Sequence, residues 1–162
     1  MVPDSIVWED GARKEVYNEC ADSDVRLELG PIEPILVQVS SHMMVFYSPV
    51  FNRMLQSDFK EGMRHHQDFW KQRIAFPHDN IHAMLLMIKN FHHRMDTVNL
   101  TLFGPGLWKN LAVVCDKYDC ISVVRPTISL CFPFELLPES PTALANLLLA
   151  ALIMKMQSSL AY

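Results

Sequence analysis

Residues 24–29 alternate: Val25, Leu27 and Leu29 are separated by Arg26 and Glu28. A period of two marks a strand buried on one face. Gly30, Pro31 and Pro34 then predict a turn, because they cannot continue a ladder. Residues 35–39 alternate again, so 24–39 reads as an antiparallel hairpin. From His42 the pattern changes to a dense apolar run, broken at Ser48 and Pro49. Ser40 or Ser41 can cap one short helix; Ser48 can cap a second, with Pro49 at its first position. The second helix then sets Val50, Phe51, Met54 and Leu55 on one side. Residues 42–47 are apolar almost all round, which implies that part of this run meets a second surface.

Further along, residues 57–72 are polar and irregular, with Gly62 as a stop, and residues 73–77 predict a third strand. A helix over 79–94 is capped by Asp79 or Asn80 and carries Ile81, Met84, Leu85, Ile88 and Phe91 as its stripe. Residues 102–106 form a loop. A helix over 107–120 turns Leu107, Leu111, Val114, Cys115 and Tyr118 inward. Residues 122–132 predict a further helix, kinked or restarted at Pro126. Ser140 and Pro141 open a last, apolar helix over 142–154. The first 23 residues are mixed: 5–8 predict a short edge strand and 12–20 a short helix. The segments divide into an N-terminal extension (1–23), a central domain (24–132), and a linker with a C-terminal helix (133–162).

The chain has 162 residues, half of them hydrophobic and a fifth charged, which is a globular balance. A domain of this length buries roughly 70% of its unfolded surface and needs no disulfide or metal to stand. The net charge of −4 argues against a nucleic-acid binder. The basic, aromatic stretch over 60–73 therefore reads as a solvated loop. Cys20, Cys115, Cys120 and Cys131 form no C-x-x-C pair, and the first ten residues lack a signal peptide's basic start and apolar core. Reduced thiols in the cytoplasm or nucleus are the expectation. Cys115 and Cys120, five apart on or near one helix, are expected to point in different directions as packing residues. The apolar run over 142–154 is too short to span a bilayer core, which takes about 20 residues. It reads as a docked helix, or as a surface for a partner helix or a membrane.

Candidate chemistry is sparse. No grouping of the seven histidines resembles H-E-x-x-H or a Cys–His finger, so no metal is expected. Ser48 lacks the small neighbours of a nucleophile elbow, and capping accounts for it. The five glycines build no phosphate-cradling loop. Lys117, Tyr118 and Asp119 read as the polar end of a helix, where a lysine complements the dipole. Neither a cofactor nor catalysis is expected.

The order of elements and five blocks of residues resemble the BTB (POZ) domain. "SDVRLEL" looks like that family's D-V-x-L strand, and "VQVSSHMMVFYSPVFNRML" matches its strand, first helix and S-P-V-F second helix. "FKEG" matches the end of that helix, "IAFPHDN" its third strand and next helix entry, and "LAVVCDKYDC" its L-A-x-x-x-D-K-Y helix. The blocks cover residues 24–130 in order, and Ser40–Ser41 with "DKYDC" look most like the fungal branch. Many members have a histidine and a basic residue at Ser40 and Ser41; the serines here speak against a corepressor-peptide pocket. His93 stands where a glycine often ends the third helix.

The resemblance implies an α/β (α+β) fold, a small sheet flanked by a cluster of short helices. It implies a non-enzymatic interaction module that homodimerises through its first strand and first two helices. The dimer candidates are Val25, Met43, Met44, Phe46, Tyr47, Val50 and Met54. Methionines and aromatics are adaptable interface residues. Implied partners are a second copy, other BTB proteins, and a cullin-type ubiquitin ligase to which the chain recruits substrates. The alternative from the residues is a peripheral membrane or organelle-associated protein held by the C-terminal helix.

Overall fold

The structure is a computed structural model that describes residues 3–9, 12–56, 73–98, 104–130, 132 and 140–155. It is a mixed α+β fold. Among the described residues there are five strands: β1 (Ser5–Glu9), β2 (Ala12–Asn18), β3 (Val25–Leu29), β4 (Ile35–Val39) and β5 (Arg73–Phe76). Six α-helices accompany them: α1 (Ser41–Tyr47), α2 (Pro49–Gln56), α3 (Ile81–Phe91), α4 (Pro105–Lys117), α5 (Ile121–Ser129) and α6 (Pro141–Ile153).

The strands lie in the order β1-β2-β4-β3-β5. The β3–β4 hairpin forms as the alternation predicts, with Val25 opposite Val39 and Leu27 opposite Val37. At its turn Gly30 adopts φ +105°, which glycine tolerates at no steric cost. A Cβ there would stand 2.8 Å from Ile81 Cδ1. The third predicted strand is β5, and it runs parallel to β3.

The N-terminal segment departs from expectation. The helix expected over 12–20 is instead the strand β2, antiparallel to β1 and parallel to β4. Adjacent Val16 and Tyr17 are both buried, on opposite faces of the strand, so no period of two is visible in the sequence. Residues 5–18, grouped as an extension, thus build two strands of the sheet. Glu19, just beyond, is fully buried and meets Lys89 of α3, with Nζ 2.8 and 2.9 Å from its two carboxylate oxygens.

Helix α3 is the centre of the molecule. Ala83 to Phe91 are all buried, because α3 packs on the sheet at β4 and against α1, α4 and α5. A stretch of helix buried all round must be apolar all round, and the two polar members of Ala83–Phe91, Lys89 and Asn90, sit near its C-terminal end, while His82 in the first turn is exposed. Helix α5 runs unbroken through Pro126 rather than restarting there. Helix α6 docks along α4, burying Leu147, Ala150 and Met154. Among the described residues no helix is long and apolar enough to cross a membrane. The basic stretch over 60–72, with His65 and His66, and Cys131 lie outside the described residues.

Candidate interaction surface

The α1–α2 corner is positioned by side chains from three other elements. The N-cap of α1 is Ser40, but its hydroxyl makes no cap bond. The Asp24 carboxylate does that work, accepting the Ser41 N–H at 2.6 Å and also the Ser41 hydroxyl. An acidic group at a helix start satisfies an orphan donor and complements the dipole. Ser40 N–H instead donates to His92 Nε2 at 3.0 Å, while His92 Nδ1–H donates to the Ile88 carbonyl at 2.9 Å. These two bonds assign the neutral tautomer. Burial holds the His92 pKa below its ordinary value, opposed by the Ile88 carbonyl and the Glu19 charge.

Ser48 lies between the helices and is fully buried. Its hydroxyl accepts the Phe51 N–H at 3.2 Å, the expected cap of α2, and donates to the Tyr118 carbonyl at 2.6 Å. Phe51 stacks on Tyr118 with centroids 4.7 Å apart, and Phe76 packs edge-on to both. Tyr118 OH donates to Asp79 at 2.7 Å, and Lys117 Nζ reaches both Asp79 oxygens at 2.7 and 2.8 Å. So Asp79 is not the cap of α3; Asn80 is, accepting the Ala83 N–H. Burial and the Asp79 carboxylate push the Tyr118 phenol far up, so it stays a donor. "SPVF", "FPHD" and "DKY" thus meet in one latch, and the groups in them that look reactive are spent on it.

Two helix ends close in the left-handed conformation, and one of them changes the reading of the cysteines. Asp119 ends α4 at φ 52°, its N–H bonding to Asp116 O while the Cys120 N–H bonds to Cys115 O at 2.9 Å. This reversal folds Cys120 back over the last turn, 3.6 Å from the Cys115 carbonyl. The two thiols do not diverge as expected, since the reversal brings the Cys120 side chain back against Cys115, but both are fully buried packing residues. Their hydrogen bond and burial push the Cys115 thiol well up, which keeps it unreactive. His93 ends α3 in the same way at φ 55°, where the family resemblance puts a glycine.

The seven interface candidates separate into two groups. Val25 (2% exposed) and Met44 (0%) point into the core and are not available to a partner, a correction to the expected set. The cause is the side of each element they occupy: Val25 faces inward with Leu27, and Met44 is the buried residue of α1. Met43, Tyr47, Val50 and Met54 are half-buried, and Phe46 is 71% exposed. Around Phe46 runs an aromatic ladder. The His42 ring is stacked 6.4 Å from it, and Tyr47 meets it edge-on at 4.9 Å. Tyr47 OH in turn hydrogen-bonds His93 Nε2 at 3.0 Å. The places of His42 and His93 beside Phe46 and Tyr47 were missed in the sequence; His93 lies 46 residues from Tyr47, and no local pattern joins them.

A cavity of about 300 Å³ opens on the other face of the sheet over Val16 and Leu36. Its rim opposes Asp4 to Arg26, and Asp4 already accepts the Asn18 N–H at 2.7 Å. Such a rim has no net charge with which to select an ion. Among the described residues, no three His, Cys, Asp or Glu side chains group as metal ligands. No family model matches this chain, and no curated protein matches it.

Proposed function

We propose that this chain is a BTB-type protein-interaction adaptor that works by binding, not catalysis, and pairs with a second copy through the outward side of α1 and α2. The observation that carries the reading is Phe46, a large aromatic 71% exposed within a ladder of His42, Tyr47 and His93. Exposed aromatics beside methionines are the composition of an interface core. Further support comes from the latch of Ser48, Asp79 and Tyr118, which gives the family-like residues a folding role. Partners of the same kind are other BTB proteins and, through the remaining surface, a cullin-type ligase; the working compartment is cytoplasm or nucleus.

The test is the absolute mass of the intact chain in solution, by light scattering over a range of concentrations, for the parent and for Phe46→Glu and Met43→Glu. The expected result is a dimer whose association weakens at least about ten-fold in each variant, as for residues central to an interface. Equal masses for parent and variants, with unchanged melting, would remove α1–α2 as the pairing surface.

A further inference from the structure

Two adjacent histidines at the end of α3 hold the two ends of α1. His92 Nε2 accepts the Ser40 N–H at 3.0 Å, at the joint where β4 passes into α1. His93 Nε2 bonds the Tyr47 OH at 3.0 Å, at the last residue of α1. The two bonds answer a proton differently. A backbone N–H only donates, so Ser40 needs an imidazole nitrogen without a hydrogen. Nε2 is the one His92 has left, because Nδ1–H is committed to the Ile88 carbonyl. Protonation of His92 sets N–H against N–H. A phenol hydroxyl both donates and accepts, so a protonated His93 keeps its bond to Tyr47 by reversing it. We propose that the two histidines form a proton-sensitive hinge, in which acid loosens the start of α1 at His92 while its end stays tied at His93. As a control on pairing this rests on the adaptor reading above, since the loosened turn carries Met43 and His42, whose ring stacks on Phe46.

The groups around His92 set how it responds. Burial disfavours the imidazolium most, opposed by the Ile88 carbonyl and by Glu19, while His93 and Arg94 just beyond α3 add repulsion. Glu19, at the end of β2, is itself offset by Lys89 of α3, whose Nζ lies 2.8 and 2.9 Å from its two oxygens. The ring is therefore neutral when α1 is closed and binds a proton more readily once it is open to water. On the α1 side of the joint, the Asp24 carboxylate holds the Ser41 N–H and hydroxyl, and the Cys20 thiol meets the Ser40 backbone. Loss of the Ser40 bond leaves Asp24 as the tie on the first turn. That turn is closed by the Met44 N–H on the Ser40 carbonyl at 3.1 Å, so Ser40, Ser41 and Met44 report its opening. The Asn52 N–H, bonded to the Ser48 carbonyl at 2.9 Å inside α2, lies beyond the tied end.

The experiment follows backbone amide exchange of the intact chain from pH 8 to pH 5, corrected for the intrinsic pH dependence of exchange, in the parent and in the Phe46→Glu background. Protection at Ser40, Ser41 and Met44 should fall about ten-fold below pH 6.5, which is the change in opening for each unit by which the open ring's pKa exceeds the closed one's. Asn52 should keep its protection. His92→Gln should lose the pH step, because an amide oxygen accepts from Ser40 without titrating; His93→Gln and His42→Gln should retain it. Imidazole nitrogen resonances of the parent need no variant: at pH 8 His92 should carry its hydrogen on Nδ1. A hydrogen on Nε2 at pH 8, a step that survives in His92→Gln, or an equal fall at Asn52 overturns the hinge. Mass against concentration at pH 8 and pH 5 reads the control on pairing, which should weaken about ten-fold in acid in the parent and not in His92→Gln. Equal pairing at both pH values overturns that control. If Phe46→Glu leaves the mass unchanged, the adaptor reading fails by itself, and the exchange step still decides the hinge.

Discussion

Asp119 and Gly30 carry opposite predictions from the same backbone physics. Asp119 is a non-glycine residue at φ 52°, exposed at the end of α4. Such a conformation costs an L-residue roughly 1–2 kcal/mol, and glycine almost nothing. Asp119→Gly should therefore stabilise the fold by about 1 kcal/mol, or about 3 °C in Tm by calorimetry. His93→Gly should gain less, because it deletes the contact with Tyr47 OH. Gly30→Ala should lose about 1–3 kcal/mol, since the residue is strained at φ +105° and its methyl meets Ile81. His92 adds a pH dependence. Its folded pKa lies below the ordinary value near 6.5, so the unfolded chain binds the proton first as pH falls. The stability that His92 contributes is complete above about pH 6.5, declines below it, and is lost once the folded imidazole protonates. Chemical unfolding from pH 8 to pH 5 should show this slope in the parent and a flatter one in His92→Gln. An equal slope in both would assign the pH dependence to other groups.

At the scale of elements, the Lys89–Glu19 pair ties the end of β2, at the residue just after it, to α3 across 70 residues of sequence. Both side chains are at least nine-tenths buried. Removing one partner leaves the other charge uncompensated in the interior, which costs about 3–5 kcal/mol, while removing both is far milder. Lys89→Met should accordingly be severely destabilised, and Glu19→Leu combined with Lys89→Met should recover most of the loss in urea unfolding. Strict additivity of the two changes would mean that the carboxylate and ammonium do not act as a pair. The same pair explains a limit of sequence reading. Strands β3, β4 and β5 are legible because their inward residues are consistently apolar. Strand β2 is not: Ala, Arg, Lys and Glu favour a helix locally, and the pairing with β1 and β4 overrides that preference. The α1–α2 run was legible as apolar. Its division into a buried Met44 and an exposed Phe46 was not, because apolar residues all round a helix give no face to choose.

For the molecule as a whole, the question is whether α6 belongs to the fold or merely hangs from it. Its connection to the rest passes through Leu147, Ala150 and Met154, all packed into the same core as α4 and α3. Burying one leucine or methionine side chain contributes roughly 1.5–3 kcal/mol, so the two long side chains alone contribute about 3–6. Total stability for a domain is only about 5–15 kcal/mol. A chain stopped after Glu139 should therefore lose most of its stability, since the face of α4 that α6 covers would meet water. The measurement is urea unfolding of the shortened and full chains, followed by circular dichroism. A shortened chain with an unchanged midpoint would make α6 a detachable arm. The expected outcome is a lowered midpoint, because truncation removes the inner face that Leu147, Ala150 and Met154 set into the core. Leu147 closes the core while its neighbour Leu148 is exposed, because the 100° turn of an α-helix sends adjacent residues to different sides.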